Sequence, residues 1–296
     1  DSLNIGIINL KGQIIQSESM ELSVMESNDI FMKRLFLICD RFMQTKYRDK
    51  IWGIGISCAG PLLVKDGVIL NPPDFNNIRD LPIVSRLQER YQLPTYLQND
   101  ICVAALAEVY FGNQNHYDDF IYVGISSGIG GGVIMNGKLY TGFGGLAGIM
   151  GHFIVEKDGI PCECGQKGCL EKYSSTRAAV KWVKAHGAGD DLTWMELLVR
   201  ALSGDEICTQ SIERMIGYLE VAFANMANAY DTQCFIIGGD LHFYQEIVVK
   251  RLEEKLRSSS FSWGQERDIH VESSSFVGSA SFIGTVALVL ENNSEV

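Results

Sequence analysis

Four residues suited to holding a metal ion lie close together in the sequence: His152, Cys162, Cys164 and Cys169. Three thiols and one imidazole match the donor set of a closed tetrahedral zinc site, because thiolate and imidazole suit Zn²⁺. The glycines between them let a short loop fold around the ion. The plain alternative is a disulfide or a few buried thiols. Two cysteines one residue apart pair poorly with each other, and disulfides are rare in the reducing compartment that the rest of the chain suggests. The expectation is a structural Zn²⁺ with all four positions filled by protein.

Two other stretches could do chemistry. Asn99-Asp100 stands where a strand ends and the helix Ile101–Tyr110 opens. There a carboxylate either caps the helix by accepting its first N–H groups or is free to act as a base. Ser126-Ser127-Gly128-Ile129-Gly130-Gly131-Gly132 follows an apolar strand. Its backbone N–H groups could cradle a phosphate, or it could simply be a tight hairpin.

The elements that must position these residues read as α/β. Leu3–Ile15 forms two strands turning at Lys11-Gly12, and a further strand runs through Ser17–Leu22. Apolar spacing predicts helices over Glu26–Lys46, Ile83–Tyr91, Thr176–Ala185, Thr193–Leu202, Cys208–Tyr230, Tyr244–Leu256 and Ala280–Leu290. Ile51–Cys58, Thr95–Gln98, Phe120–Ile125, Val133–Met135, Cys234–Ile237 and Ile269–Glu272 read as strands, the almost wholly apolar Ile51–Cys58 as one buried on both faces. The proline- and asparagine-rich loop Asn71–Asn77 belongs at the surface. Composition turns polar around Asn113–Asp119, which divides the chain into residues 1–117 and 118–279, with the final helix (280–296) returning to the first part.

Composition bounds the function. The 296 residues suffice for two lobes, and a net charge of −11 argues against nucleic-acid binding by this chain as it stands. The sequence has neither a long uninterrupted apolar run nor a secretory leader pattern, so a cytoplasmic protein is expected. Cys39, Cys58, Cys102, Cys208 and Cys234 lie in apolar surroundings and read as core packing.

His152, Cys162, Cys164, Gly165, Gly168, Cys169 and Glu171 together resemble the signature of the ROK family, which comprises transcriptional repressors and sugar kinases. The resemblance extends over essentially the whole chain. It implies a two-lobed actin/hexokinase-like (ribonuclease H-like) α/β fold with a structural zinc loop and a sugar cleft between the lobes. It also implies that Asn99, Asp100, His152 and Glu171 contact a monosaccharide, with Asp100 as catalytic base if the chain is a kinase. ATP with Mg²⁺ would then lie against Gly128, Gly130, Gly131, Gly238 and Gly239. Three positions depart from the pattern. Ile149 stands where the family has a sugar-binding Glu, Ser126-Ser127 where Gly-Thr is usual, and Asp1 where the Thr of a first phosphate loop is expected. These departures favour the sugar-sensing, oligomerising body of a regulator, a homodimer or tetramer that would reach DNA through a helix-turn-helix head outside this chain. The alternative is an ATP-dependent hexose or N-acetylhexosamine kinase.

Overall fold

The structure is a computed structural model that describes residues 2–22, 27–72, 77–112, 115–187, 189, 191–241, 244–259, 268–276 and 278–293. Asp1, and with it the expectation placed on that position, lies outside the described residues, as does part of the loop at 73–76. The chain divides into two units. The first comprises Asp1–Asn113, Gly142–Gly145 and Ser279–Val296, and the second Gln114–Thr141 and Leu146–Gly278.

In the first unit β1 (Ser2–Ile8) and β2 (Ile14–Glu21) form an antiparallel hairpin. The two strands expected over Ile14–Ile15 and Ser17–Leu22 are one continuous strand, because the register with β1 runs unbroken from Gln16 to Glu21. α1 (Asn28–Met43) starts at Ser27, whose hydroxyl accepts the Ile30 N–H, and buries Phe31, Met32, Leu35, Ile38 and Phe42 on one face. β3 (Ile54–Cys58) pairs in parallel with β6 (Thr95–Asn99). Between them lie the short hairpin β4 (Leu62–Leu63) and β5 (Val68–Ile69), then α2 (Ile83–Tyr91). α3 (Asp100–Phe111) follows β6 directly, and α9 (Ala280–Asn293) packs against both α3 and β3. Gly55 and Gly284 permit this close packing: a Cβ on Gly55 would strike the Thr285 carbonyl, and one on Gly284 the Val103 carbonyl.

In the second unit a five-stranded sheet has the order β11-β10-β7-β8-β9. β7 (Phe120–Ile125) is central and buried at every residue. It pairs in parallel with β10 (Cys234–Gly239) and antiparallel with β8 (Ile129–Met135). β9 (Lys138–Tyr140) and β11 (His270–Ser273) form the two ends. α4 (Glu171–Ser174), α5 (Thr176–Ala185), α6 (Trp194–Leu202), α7 (Glu206–Tyr230) and α8 (Gln245–Ser259) complete this unit. α7 gives the core Ile212, Met215, Ile216, Leu219 and Phe223, and Phe223 packs on Phe235 of β10 with ring centroids 4.7 Å apart. Among the described residues no helix is long and apolar enough to cross a membrane.

Candidate functional site

The cysteine loop is built by short-range pairing. Cys162 N–H donates to the Gln166 carbonyl (2.8 Å) and Gly165 N–H to the Cys162 carbonyl (3.0 Å), which closes a tight turn. Gly165 has φ +89° and Gly168 φ +78°, a left-handed backbone that favours glycine. A Cβ at Gly168 would collide with the Glu156 carbonyl. Bridges Pro161–Lys167 and Ile154–Cys169 then bring Cys169 alongside the segment that carries His152.

The outcome is a cluster in which one ligand atom from each of His152, Cys162, Cys164 and Cys169 lies within 4.8 Å of every other. Cys162 Sγ is 3.6 Å from His152 Nδ1, and Cys164 Sγ is 3.6 Å from Cys169 Sγ. A tetrahedral zinc with bonds of about 2.3 Å to sulfur and about 2.0–2.1 Å to nitrogen sets neighbouring ligands about 3.5–3.8 Å apart. The observed separations match, and they are far too long for a disulfide, whose sulfurs lie about 2.0 Å apart. All eight cysteines are free thiols. Burial, then the sulfurs beside it, pushes the Cys169 thiol up to about 12. Cys164 is held lower, chiefly by a hydrogen bond from the Gln166 backbone. Crowding four soft donors in this way disfavours thiolates unless a cation offsets their charge, so the set could hold a metal ion.

Several contacts brace the loop. Lys172 forms an ion pair with Glu163, which is held at about 2 mainly by that bond. Ile160 N–H donates to the Tyr173 hydroxyl (2.7 Å). The Tyr173 ring lies 4.3 Å from that of Tyr218, and Arg214 sits over both. Tyr218 donates to Glu156 (3.2 Å). These three residues were not singled out in the sequence. Arg214 and Tyr218 are four apart on α7, a same-face spacing that could have flagged them, but nothing in the sequence shows that Tyr173 would meet them.

Glu171 opens α4, and its Oε2 accepts the Ile129 N–H at 3.0 Å. The glycine-rich stretch beside it forms a hairpin. Ser126 N–H donates to the Gly128 carbonyl (2.9 Å) and Gly131 N–H to the Gly148 carbonyl (2.8 Å). Gly130 and Gly131 lie inside β8, opposite Gly124 and Val123. A side chain at Gly131 would run into Met150. Gly238 and Gly239 end β10, where a Cβ would meet the Tyr122 hydroxyl and the Ile125 carbonyl respectively.

In the first unit, Asn99 and Asp100 both serve the start of α3. Asn99 Oδ1 and Asp100 Oδ1 share the Ile101 N–H, at 3.1 and 2.9 Å. Burial raises the Asp100 pKa above the ordinary carboxylate value, and the bonds from Ile101, its own backbone and Asn99 only partly oppose this. A half-buried carboxyl whose pKa burial raises can accept a hydroxyl bond or a proton. Asn99 and Asp100 therefore belong to the first unit, His152 and Glu171 to the second.

These features define an α/β protein with a candidate metal loop. The ROK family profile matches residues 1–292, and the chain belongs to that family. It is 27% identical to the xylose repressor of Caldicellulosiruptor bescii over 99% of this chain and 76% of that protein. It is 35% identical to the N-acetylmannosamine kinase of Escherichia coli over 63% of this chain and 64% of the kinase. Among solved structures, a ROK family transcriptional regulator homologous to the Escherichia coli Mlc protein superposes with a TM-score of 0.85 at 24% identity. That match covers 98% of this chain and 75% of the regulator.

Proposed function

We propose that residues 1–296 form the sugar-sensing and oligomerising body of a ROK transcriptional regulator, with Zn²⁺ held structurally by His152, Cys162, Cys164 and Cys169. The effector is a neutral or N-acetylated monosaccharide that bonds to Asn99, Asp100, His152 and Glu171. His152 Nδ1 faces the sulfurs, which leaves Nε2 for a hydroxyl. The regulator would reach DNA through a separate head, since the chain's own charge is −11.

The observation that carries this reading is Ile149. It directly precedes the turn Met150–His152, is 47% exposed, and is aliphatic where the family resemblance calls for a sugar-binding carboxylate. Phosphoryl transfer depends almost entirely on positioning and charge, so losing a positioning group is severe for a kinase. A sensor loses only affinity: one charge-assisted bond contributes roughly 1.5–3 kcal/mol. The second reading, an ATP- and Mg²⁺-dependent sugar kinase, is favoured by Asp100, whose burial suits a base.

The test is a coupled ADP-release assay with hexoses, N-acetylhexosamines and pentoses. We expect no turnover above background. Turnover of about 1 s⁻¹ or more, abolished by Asp100→Asn, assigns the chain to the kinases.

A further inference from the structure

The glycine-rich turn after β7 holds a side chain of the protein itself. Ile129 N–H donates to Glu171 Oε2 at 3.0 Å, so the start of β8 fixes one oxygen of that carboxylate. Among the described residues no bond engages the other oxygen, Oε1. Thr176 N–H, just past the end of α4, donates to the Ser126 carbonyl at 2.9 Å. The turn is thus fastened at both ends of α4, by the Glu171 side chain at its start and by a backbone bond beyond its end.

Two glycines wall the held oxygen. A Cβ on Gly128 would stand 2.9 Å from Glu171 Oε2. One on Gly151 would stand 3.4 Å from the same atom and 2.2 Å from the Ile129 carbonyl oxygen. Neither glycine has the left-handed backbone seen at Gly148, Gly165 and Gly168, so conformation does not call for glycine at position 128. Space does. Among the described residues, and chain neighbours aside, the only atoms a Gly128 Cβ would meet within 4 Å are Oε2 and Cδ of Glu171. Ile129 is therefore a common reference for two residues. Its N–H holds Glu171, and its carbonyl abuts Gly151, which directly precedes His152.

We propose that Gly128 is a positioning residue for Glu171. The notch made by Gly128, the Ile129 N–H and Gly151 fixes Oε2 and thereby presents Oε1 to a sugar hydroxyl, in register with His152. The inference rests on the reading that Glu171 contacts a monosaccharide. An acceptor held in place before binding has little freedom left to lose, so the affinity for a polyol depends on the notch as well as on the carboxylate.

Gly128→Ala tests this, because the group it displaces is the far end of a flexible side chain rather than backbone. Amide exchange followed by NMR on the intact protein needs no sugar. We expect the Ile129 amide to exchange at least about tenfold faster in Gly128→Ala and in Glu171→Ala than in the wild type, and the Gly131 and Thr176 amides to stay within about twofold. An unchanged Ile129 amide in Gly128→Ala overturns the proposal. So does equal acceleration of all three amides, which would make Gly128 a residue of the turn's fold alone. In calorimetry each substitution should weaken sugar binding about tenfold or more, and the double variant should bind no more weakly than Glu171→Ala. Wild-type affinity in Gly128→Ala beside weakened binding in Glu171→Ala, or additive losses in the double variant, overturns the proposal and leaves the sugar-sensing reading standing. A wild type that binds no sugar, or Glu171→Ala with unchanged affinity, overturns that reading and the proposal with it.

Discussion

The two units carry nearly the same kind of strand in different surroundings. β7, FIYVGI, is paired on both edges and buried at all six residues. β3, IGISC, is similarly apolar, but among the described residues it is paired on one edge only and half-buried at all five. Composition fits both strands for a doubly covered sheet, and among the described residues only β7 has neighbours on both edges. The difference extends to the functional residues. His152 and Glu171 stand on a braced loop beside a complete sheet. Asp100 lines a cavity beside β3.

The largest expected effect is in the braced unit. Cys169→Ser removes a fully buried member of the candidate metal cluster and should lower the melting temperature by roughly 6–12 °C, the scale of about 3 kcal/mol in a domain of this size. Metal analysis should give about one zinc per chain in the wild type and a small fraction of that in the variant. An unchanged melting temperature with less than a fifth of an equivalent of metal in the wild type would sink the zinc assignment and, with it, the contrast between units.

A smaller effect of opposite sign is expected in the first unit. The ordinary carboxyl value is 3.8, and burial raises that of Asp100 above it. Between those two values the folded chain retains a proton that the unfolded chain has released. Stability therefore falls as pH rises through that interval, and the loss persists at pH 7. Asp100→Asn keeps the oxygen that accepts the Ile101 N–H and removes the buried charge. Its melting temperature at pH 7 should exceed that of the wild type by roughly 2 °C or more, and the gap should close near pH 3. A destabilised variant at pH 7 would mean that the carboxylate is well compensated in the fold.

What could be read from the sequence divides along the same line. The bounds of α2 and α5 follow from apolar spacing and match the structure. The four candidate metal donors stand out because their spacing is local, and the structure gathers all four into one cluster. β8 was read short, as Val133–Met135, because its glycines resemble a loop. In the structure Gly130 and Gly131 are strand residues kept small by β7's ladder and Met150. β9 was missed although Asn136-Gly137, both at positive φ, is a strong hairpin signal. The partners of β3 could not be read, since a strand's neighbours depend on long-range pairing that its own composition does not encode.

The central claim is that Asn99, Asp100, His152 and Glu171 bind a monosaccharide without nucleotide. Isothermal calorimetry with a panel that includes xylose and N-acetylmannosamine tests it most directly, on the wild type and on Asp100→Ala. The account predicts saturable binding of at least one sugar at micromolar to millimolar concentration, weakened at least about tenfold by the substitution. Absence of binding across the panel at millimolar sugar, or binding that Asp100→Ala leaves unchanged, would contradict it.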